Sequence, residues 1–137
     1  MNLKFKVLNG GKLPTRAHKE DAGFDLYSPI NAVLCGGTTR IKLGVCVEIP
    51  KGYVGFIMGR SSLNKKGIAC LTGVIDSGYT GEIAVVLNSV GTLARIKKGD
   101  RIAQLVVAKL ADIDDAVAVD SLEDSERGAG GFGSTGA

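Results

Sequence analysis

The residue types that build many reactive centres are scarce in this sequence of 137 residues. His18 is its one histidine, and its three cysteines, Cys35, Cys46 and Cys70, show no CxxC spacing. A zinc site made of histidine and cysteine is therefore not expected, and the odd number of cysteines is typical of reduced thiols in the cytosol. A lone histidine near the N-terminus, without a GxSxG motif, also argues against a Ser-His-Asp hydrolase.

Long hydrophobic runs are absent too, since no apolar stretch approaches the ~20 residues that span a membrane. The first residues, MNLKFKVLN, carry charges among their apolar side chains, unlike a signal peptide. A chain of this length, with 45% hydrophobic and 23% charged residues, predicts one soluble domain with a real core. We expect a cytoplasmic protein without a membrane partner, and a nuclear or organellar location stays open for a eukaryotic or viral source.

Acidic residues are sparse outside one segment. Residues 112–126, DIDDAVAVDSLEDSE, hold seven of the fourteen acidic residues and no Lys or Arg. Residues 1–111 carry sixteen basic and seven acidic residues, a net charge of +9 that would attract a polyanion such as a nucleoside triphosphate. Nucleic acid is not the expected partner, because the basic residues are dispersed and not interleaved with stacking aromatics. A merely solvated basic surface remains the alternative.

Apolar residues recur with the period of a strand. Residues 40–49 place Ile41, Leu43, Val45, Val47 and Ile49 on one side in strict alternation. Further strands are predicted around residues 3–7, 53–58, 82–87 and 101–107, with a short helical turn at 61–66. Many short strands between turn segments predict an all-β sandwich or barrel.

The chain divides into three parts by composition. Residues 1–111 form the predicted β core, 112–126 an acidic connector, and 127–137 a Gly-rich arm with glycine at five of eleven positions. The arm is either a disordered end or a loop whose backbone N–H groups approach phosphate closely. It matches no helix-linked phosphate motif, since the chain stops after it.

Four internal segments carry candidate site residues. Asp76 follows an apolar run at the start of a Gly-rich turn predicted as a hairpin, where it is either a turn residue or an exposed general base. Arg60 and Ser61 suit phosphate oxygens. Asp25 lies between apolar residues of a short strand, and Gln104 in an apolar strand must be hydrogen-bonded, within the fold or to a ligand.

In order along the chain, five segments resemble the five motifs of the trimeric dUTPase family: AGFDLYSP, GRSSLNKKG, GVIDSGYTG, GDRIAQLVV and RGAGGFGSTG. The resemblance implies a jelly-roll-like β subunit that assembles into a homotrimer with active sites shared between subunits. It also implies hydrolysis of dUTP to dUMP and pyrophosphate with Mg2+ bound to the triphosphate, which keeps uracil out of DNA and supplies dUMP for thymidylate synthesis.

The same resemblance assigns roles to the four internal segments. Asp76 would activate the attacking water, Gln104 would lie near the phosphates and that water, and Asp25 would contact the water shell of the metal. The segment from Gly73 through Val74 and Ile75 would recognise uracil, and Tyr79 would pack on deoxyribose. The phosphate contacts would come from Arg60, Ser61 and Ser62.

In the arm, the resemblance makes Phe132 the residue that stacks on uracil and Arg127 a contact of the γ-phosphate. Gly133, Ser134 and Thr135 would wrap the phosphates, so that the arm closes as a flexible lid.

Three positions depart from the pattern of the family, and two other functions stay open. The second motif has Gly59 and Ser62 where the family commonly has P-R-S-G, a form similar to the related dCTP deaminases, and Cys70 stands where many bacterial dUTPases have Asn. A dCTP deaminase or a bifunctional deaminase and dUTPase is thus one alternative, although its catalytic Glu would fall at Val86. A non-catalytic nucleotide-binding or regulatory module of the same fold is the other.

Overall fold

The computed structural model describes residues 1–91, 93–134 and 136. Its elements are β1 (Lys4–Val7), β2 (Gly23–Tyr27), β3 (Ala32–Leu34), β4 (Gly37–Glu48), β5 (Tyr53–Met58), α1 (Ser61–Asn64), β6 (Ile68–Leu71), β7 (Gly73–Ile75), β8 (Glu82–Ser89), β9 (Ala94–Ile96) and β10 (Arg101–Lys109). The strands form two four-stranded antiparallel sheets, β1-β4-β8-β6 and β2-β10-β5-β7, and a two-stranded sheet of β3 and β9. This jelly-roll-like arrangement confirms the all-β fold class.

The predicted alternation in residues 40–49 is confirmed. Ile41, Leu43, Val45, Val47 and Ile49 are all buried, and they belong to one hydrophobic cluster that also contains Leu105 and Ile57 of the second sheet. Because β-strand side chains alternate between faces, each sheet buries one apolar face against the other. The opposite faces are left for solvent, ligands or partners.

The turn at residues 76–81 differs from the sequence prediction. We predicted a hairpin, but β7 pairs with β5 and β8 pairs with β4 and β6, so the segment joins strands of different sheets. The strand ladder decides this, since the three residues of β7 complete the edge of one sheet before the chain crosses to the other. Asp76 and Tyr79 therefore lie at a corner of the sandwich.

The described residues after Lys109 contain no strand or helix. Residues 110–126 are exposed along their whole length, and residues 125–134 form successive backbone turns. No helix among the described residues has the length and apolarity that crossing a bilayer would require.

Candidate functional site

One cleft, of about 330 Å³, collects most of the residues predicted to bind phosphate. We call it the arginine cleft, and its side chains include those of Asp21, Asp25, Arg60, Ser61, Arg101 and Gln104. They converge because β2 and β10 are adjacent, with Gln104 directly opposite Asp25, and because β10 also pairs with β5, which leads into Arg60. Three of the five predicted motifs thus meet at one end of one sheet.

Asp25 is the electrostatic centre of the arginine cleft. Its Oδ1 lies 3.0 Å from Nε of Arg60 and its Oδ2 lies 3.4 Å from Nη1 of Arg101. The side chain of Asp25 is 19% exposed and that of Arg60 22%, so this pair is more shielded from water than a typical surface salt bridge. Arg101 was not predicted as a site residue, although it lies within the GDRIAQLVV segment.

Arg60 is held by further contacts. Its Nη1 donates to Oγ of Ser62 and to the carbonyl oxygen of Arg101, each at 3.3 Å. Arg60 also precedes the four-residue helix α1, so Ser61 and Ser62 begin the first turn. Ser61 lines the cleft, whereas Ser62 supports Arg60.

Gln104 is satisfied on one side and open on the other. Its Nε2 donates to the carbonyl oxygen of Gly59 at 2.9 Å. Its Oε1 lies so close to Gly23 that a Cβ there would come within 2.5 Å. The amide orientation is thereby fixed by Gly59 and Gly23, and the side chain lines the cleft.

A second cleft, of about 260 Å³, contains the segment predicted to recognise a base. We call it the tyrosine cleft, and it is lined by Gly73, Val74, Ile75 and Tyr79 together with Arg40, Ile57, Glu82, Ile83, Ala84 and Val86. The Tyr79 hydroxyl donates to the carbonyl oxygen of Glu82 at 2.9 Å, which closes the corner on itself. No local sequence signal pointed to Arg40 or Glu82, since strand register alone brings them here.

The side chain of Asp76 is exposed immediately after β7, beside the tyrosine cleft. Within the described residues its carboxylate makes no hydrogen bond or ion pair; its carbonyl oxygen accepts the N–H of Tyr79 at 3.0 Å. The end of β7 thus presents an exposed carboxylate that has no side-chain partner among the described residues. Val86, at the position of the alternative deaminase acid, is an apolar lining residue of the same cleft.

The described residues of the arm are folded locally and line neither cleft. Nε of Arg127 donates to the carbonyl oxygen of Gly130 at 2.6 Å, and the N–H of Ser134 donates to Gly131. Phe132 is fully exposed and has a φ of 51°, in the left-handed region, before Gly133. No described residue after 109 lines either cleft. Thr135 lies outside the described residues.

Cys70 lies on β6 with its thiol partly shielded. Burial raises the pKa of this thiol, against a smaller lowering of the pKa by a backbone hydrogen bond at Val86. Its Cβ is near Gly59, where an added Cβ would meet it at 3.6 Å. The thiol is therefore neutral at neutral pH.

Comparison with known proteins places the chain among nucleotide hydrolases. The family model described as dUTPase matches residues 9–136. The deoxyuridine 5'-triphosphate nucleotidohydrolase of Candida glabrata is 43% identical over 129 residues, which is 92% of this chain and 90% of that protein. The protein of the same name from Clostridioides difficile is 43% identical over 141 residues, and the match covers 98% of each chain.

Solved structures agree over most of the chain. The dUTPase of Staphylococcus bacteriophage 80alpha with dUpNHpp has a TM-score of 0.88 at 34% identity, and the match covers 99% of both chains. A mutant dUTPase of phage phi11 of S. aureus, described with a structural Mg(II) ion, has a TM-score of 0.79 at 27% identity. That match covers 90% of this chain and 100% of the phage chain.

Proposed function

The chain belongs to the dUTPase family and is a dUTP diphosphatase, which hydrolyses dUTP to dUMP and pyrophosphate, and we propose that the arginine cleft and the tyrosine cleft are the two halves of its active site. The main support for this proposal is that three residues predicted to bind phosphate, Arg60, Ser61 and Gln104, converge in the arginine cleft. Tyr79, which was predicted to pack on deoxyribose, lies in the tyrosine cleft. A triphosphate suits the guanidinium and hydroxyl donors. The tyrosine cleft, lined by Tyr79 and several apolar side chains, suits uracil and deoxyribose.

In the proposed reaction, Asp76 takes a proton from a water molecule that attacks the α-phosphorus. The new phosphorus–oxygen bond forms as the bond to the bridging oxygen breaks, and pyrophosphate leaves. An exposed carboxylate held by a strand end meets the need of a general base for access and a fixed position. Arg60 and Gln104 would hold the phosphates and the water, since such a transfer depends mainly on positioning and charge stabilisation.

We propose Mg2+ as the cofactor, bound mainly by the triphosphate. Mg2+ commonly keeps several waters and takes one or two carboxylates beside substrate phosphates. The carboxylates of Asp25 and Asp21 both line the arginine cleft, so the residues present fit a hydrated ion of this kind. When bound, the ion supplies charge neutralisation for the phosphates. No group of three potential acidic, His or Cys ligands occurs in the described residues.

We further propose a homotrimer in which one subunit's arginine cleft meets another's tyrosine cleft. The two clefts share no lining residue within the chain, so one copy supplies the halves separately. The sheet face that carries Gln104 also carries Met58, Phe56, Val106 and Val74, because these residues are paired across β5, β7 and β10. Val74 is 63% exposed and Met58 41%, which leaves an apolar face beside the site for a second copy.

The Gly-rich arm, residues 127–137, would complete the site that the two clefts form. Phe132, fully exposed, has an apolar ring available to stack on uracil, while Arg127 and the backbone of Gly133 and Ser134 suit phosphate oxygens. The exposed acidic connector, residues 112–126, would give the arm its reach. Thr135 would belong to the same phosphate-wrapping segment. Closure would exclude water from the reaction.

The test is pyrophosphate release with Mg2+ from dUTP, dCTP, dTTP and UTP in parallel, with the base identified in every product. Release from dUTP alone, giving dUMP, is the expected result. Conversion of dCTP to a uracil nucleotide would replace the proposal with the deaminase, and the apolar Val86 in the tyrosine cleft argues against that outcome. No turnover of any of the four would contradict the proposed site.

A further inference from the structure

The contacts around Asp25 form a closed ring that includes Arg101 twice. The Arg101 guanidinium contacts Oδ2 of Asp25 at 3.4 Å, and Oδ1 of Asp25 contacts Nε of Arg60 at 3.0 Å. Nη1 of Arg60 then donates back to the carbonyl oxygen of Arg101 at 3.3 Å. The side chain and the main chain of one residue thus act on Arg60 from two directions.

This ring determines which part of Arg60 is left for a ligand. A guanidinium has five N–H donors in a rigid planar fork. Nε of Arg60 is engaged by Asp25, and Nη1 by Ser62 and the Arg101 carbonyl. Nη2 has no hydrogen-bond partner among the described residues and remains available to a ligand in the arginine cleft.

Charge balance gives the Arg101 side chain its own role. With one guanidinium on each oxygen, the carboxylate of Asp25 divides its attraction between two cations. Without Arg101, the full negative charge of Asp25 would act on Arg60 alone and would face the incoming phosphates with less compensation. Asp25 would then compete with the substrate for Arg60.

From this geometry we propose that Arg101 is a positioning residue that, through Asp25, keeps Arg60 oriented for the triphosphate. The inference rests on the proposed role of Arg60 as a phosphate ligand. Arg101 itself is half exposed, at 52% of its side chain, and contacts the rim of the cleft. A simple exposed ion pair in that position would contribute little to stability, so its effect is expected in binding rather than in folding.

A double-mutant cycle tests the proposal with Arg101→Gln, Asp25→Asn and the two combined. Affinity for dUpNHpp, kcat and KM for dUTP, and thermal unfolding are measured for each protein. We expect Arg101→Gln to weaken dUpNHpp binding and raise KM about tenfold, with kcat changed less than about threefold, since a charge-assisted contact is mispositioned. In the Asp25→Asn background, the same change should cost less than about twofold, because the two residues act as one unit.

Two further variants serve as controls. Arg101→Lys restores the charge without the fork and should recover part of the lost affinity. Arg95→Gln removes an exposed arginine of β9 that lines a different cleft and should leave binding unchanged. Wild-type affinity in Arg101→Gln would overturn the proposal, as would an equal loss with and without Asp25. Failure of the wild-type protein to hydrolyse dUTP would instead contradict the proposed function, and the dUpNHpp affinities keep the two outcomes distinguishable.

Discussion

Gly23 on β2 and Gln104 on β10 are diagonal neighbours, since Gly23 lies opposite Val106 and Gln104 opposite Asp25, and there is no room for a side chain between them. A Cβ on Gly23 would lie 2.5 Å from Oε1 and 3.1 Å from Cβ of Gln104. The absence of a side chain at position 23 thus leaves room for the amide, whose Nε2 donates to the carbonyl oxygen of Gly59 at 2.9 Å. Gly23 of the first motif therefore leaves the space that the Gln104 amide of the fourth motif occupies.

Gly23→Ala is expected to displace Gln104 and to lower turnover of dUTP. The amide would lose its hydrogen bond to the Gly59 carbonyl oxygen, which would cost about 1 kcal/mol of stability. A misplacement of a positioning group by about 1 Å costs up to about 100-fold in rate. Steady-state kinetics and urea unfolding measure the two effects. If Gly23 acts through Gln104, Gly23→Ala should have little further effect on the rate in a Gln104→Ala protein. An undiminished second loss there would show that Gly23 affects the rate by another route.

Asp76→Asn is expected to abolish turnover while leaving dUpNHpp binding largely intact. The amide has nearly the shape of the carboxylate but cannot accept the proton of the attacking water. Asp76 is exposed and makes no side-chain hydrogen bond or ion pair within the described residues, so its replacement should not disturb the fold. Pyrophosphate release and calorimetric titration with dUpNHpp measure the two properties. Equal losses of binding and turnover would make Asp76 a structural residue of the corner.

Truncation after Glu126 is expected to reduce turnover severely without changing the oligomeric state. The truncated chain lacks Arg127 and Phe132 but keeps both clefts and the apolar sheet face, which are built from residues before 110. Light scattering after gel filtration gives the mass, and single-turnover kinetics give the rate of the chemical step. The full-length Phe132→Ala protein separates loss of the proposed uracil stacking from loss of the whole arm. Full activity of the truncated chain would contradict the lid.

Local signals in the sequence were enough to single out four candidate site residues, Asp25, Arg60, Ser61 and Gln104, and to predict the long strands. Strand period and short motifs involve neighbouring residues, so both can be read from a short window. The three-residue strands β3, β7 and β9 are too short to show a period. The corner at 76–81 was predicted as a hairpin because a Gly-rich turn does not reveal which sheet each flanking strand joins.

Other features of the site depend on distant pairing. Arg101 meets Asp25 across 76 positions through the β2–β10 register, and Arg40 enters the tyrosine cleft through its pairing with Val86. Neither contact leaves a trace in a short window of sequence. The proposed meeting of the two clefts involves a second copy of the chain, so that part of the site stays a prediction.

Gly81→Ala should disturb the tyrosine cleft, and Gly78→Ala should not. A Cβ on Gly81 would lie 2.5 Å from the Tyr79 hydroxyl oxygen and 2.7 Å from its Cζ, whereas a Cβ on Gly78 would meet nothing within 4 Å. The aromatic ring must therefore move in the first variant and lose its hydrogen bond to the Glu82 carbonyl. We expect Gly81→Ala to lower kcat/KM for dUTP about tenfold or more, because a displaced positioning group has effects of this order.

Comparing kcat/KM for dUTP with kcat/KM for UTP tests whether the position of the Tyr79 ring determines the selectivity for deoxyribose. If Tyr79 packs on deoxyribose and excludes a 2′-hydroxyl, Gly81→Ala should narrow the preference for dUTP over UTP, since the displaced ring leaves space at that carbon. Gly78→Ala, three residues nearer to Asp76, should keep both the rate and the preference within about twofold, as expected for an exposed substitution without new contacts. Equal behaviour of the two alanine variants would mean that the Tyr79 ring does not set sugar selectivity, because only one of them can displace it.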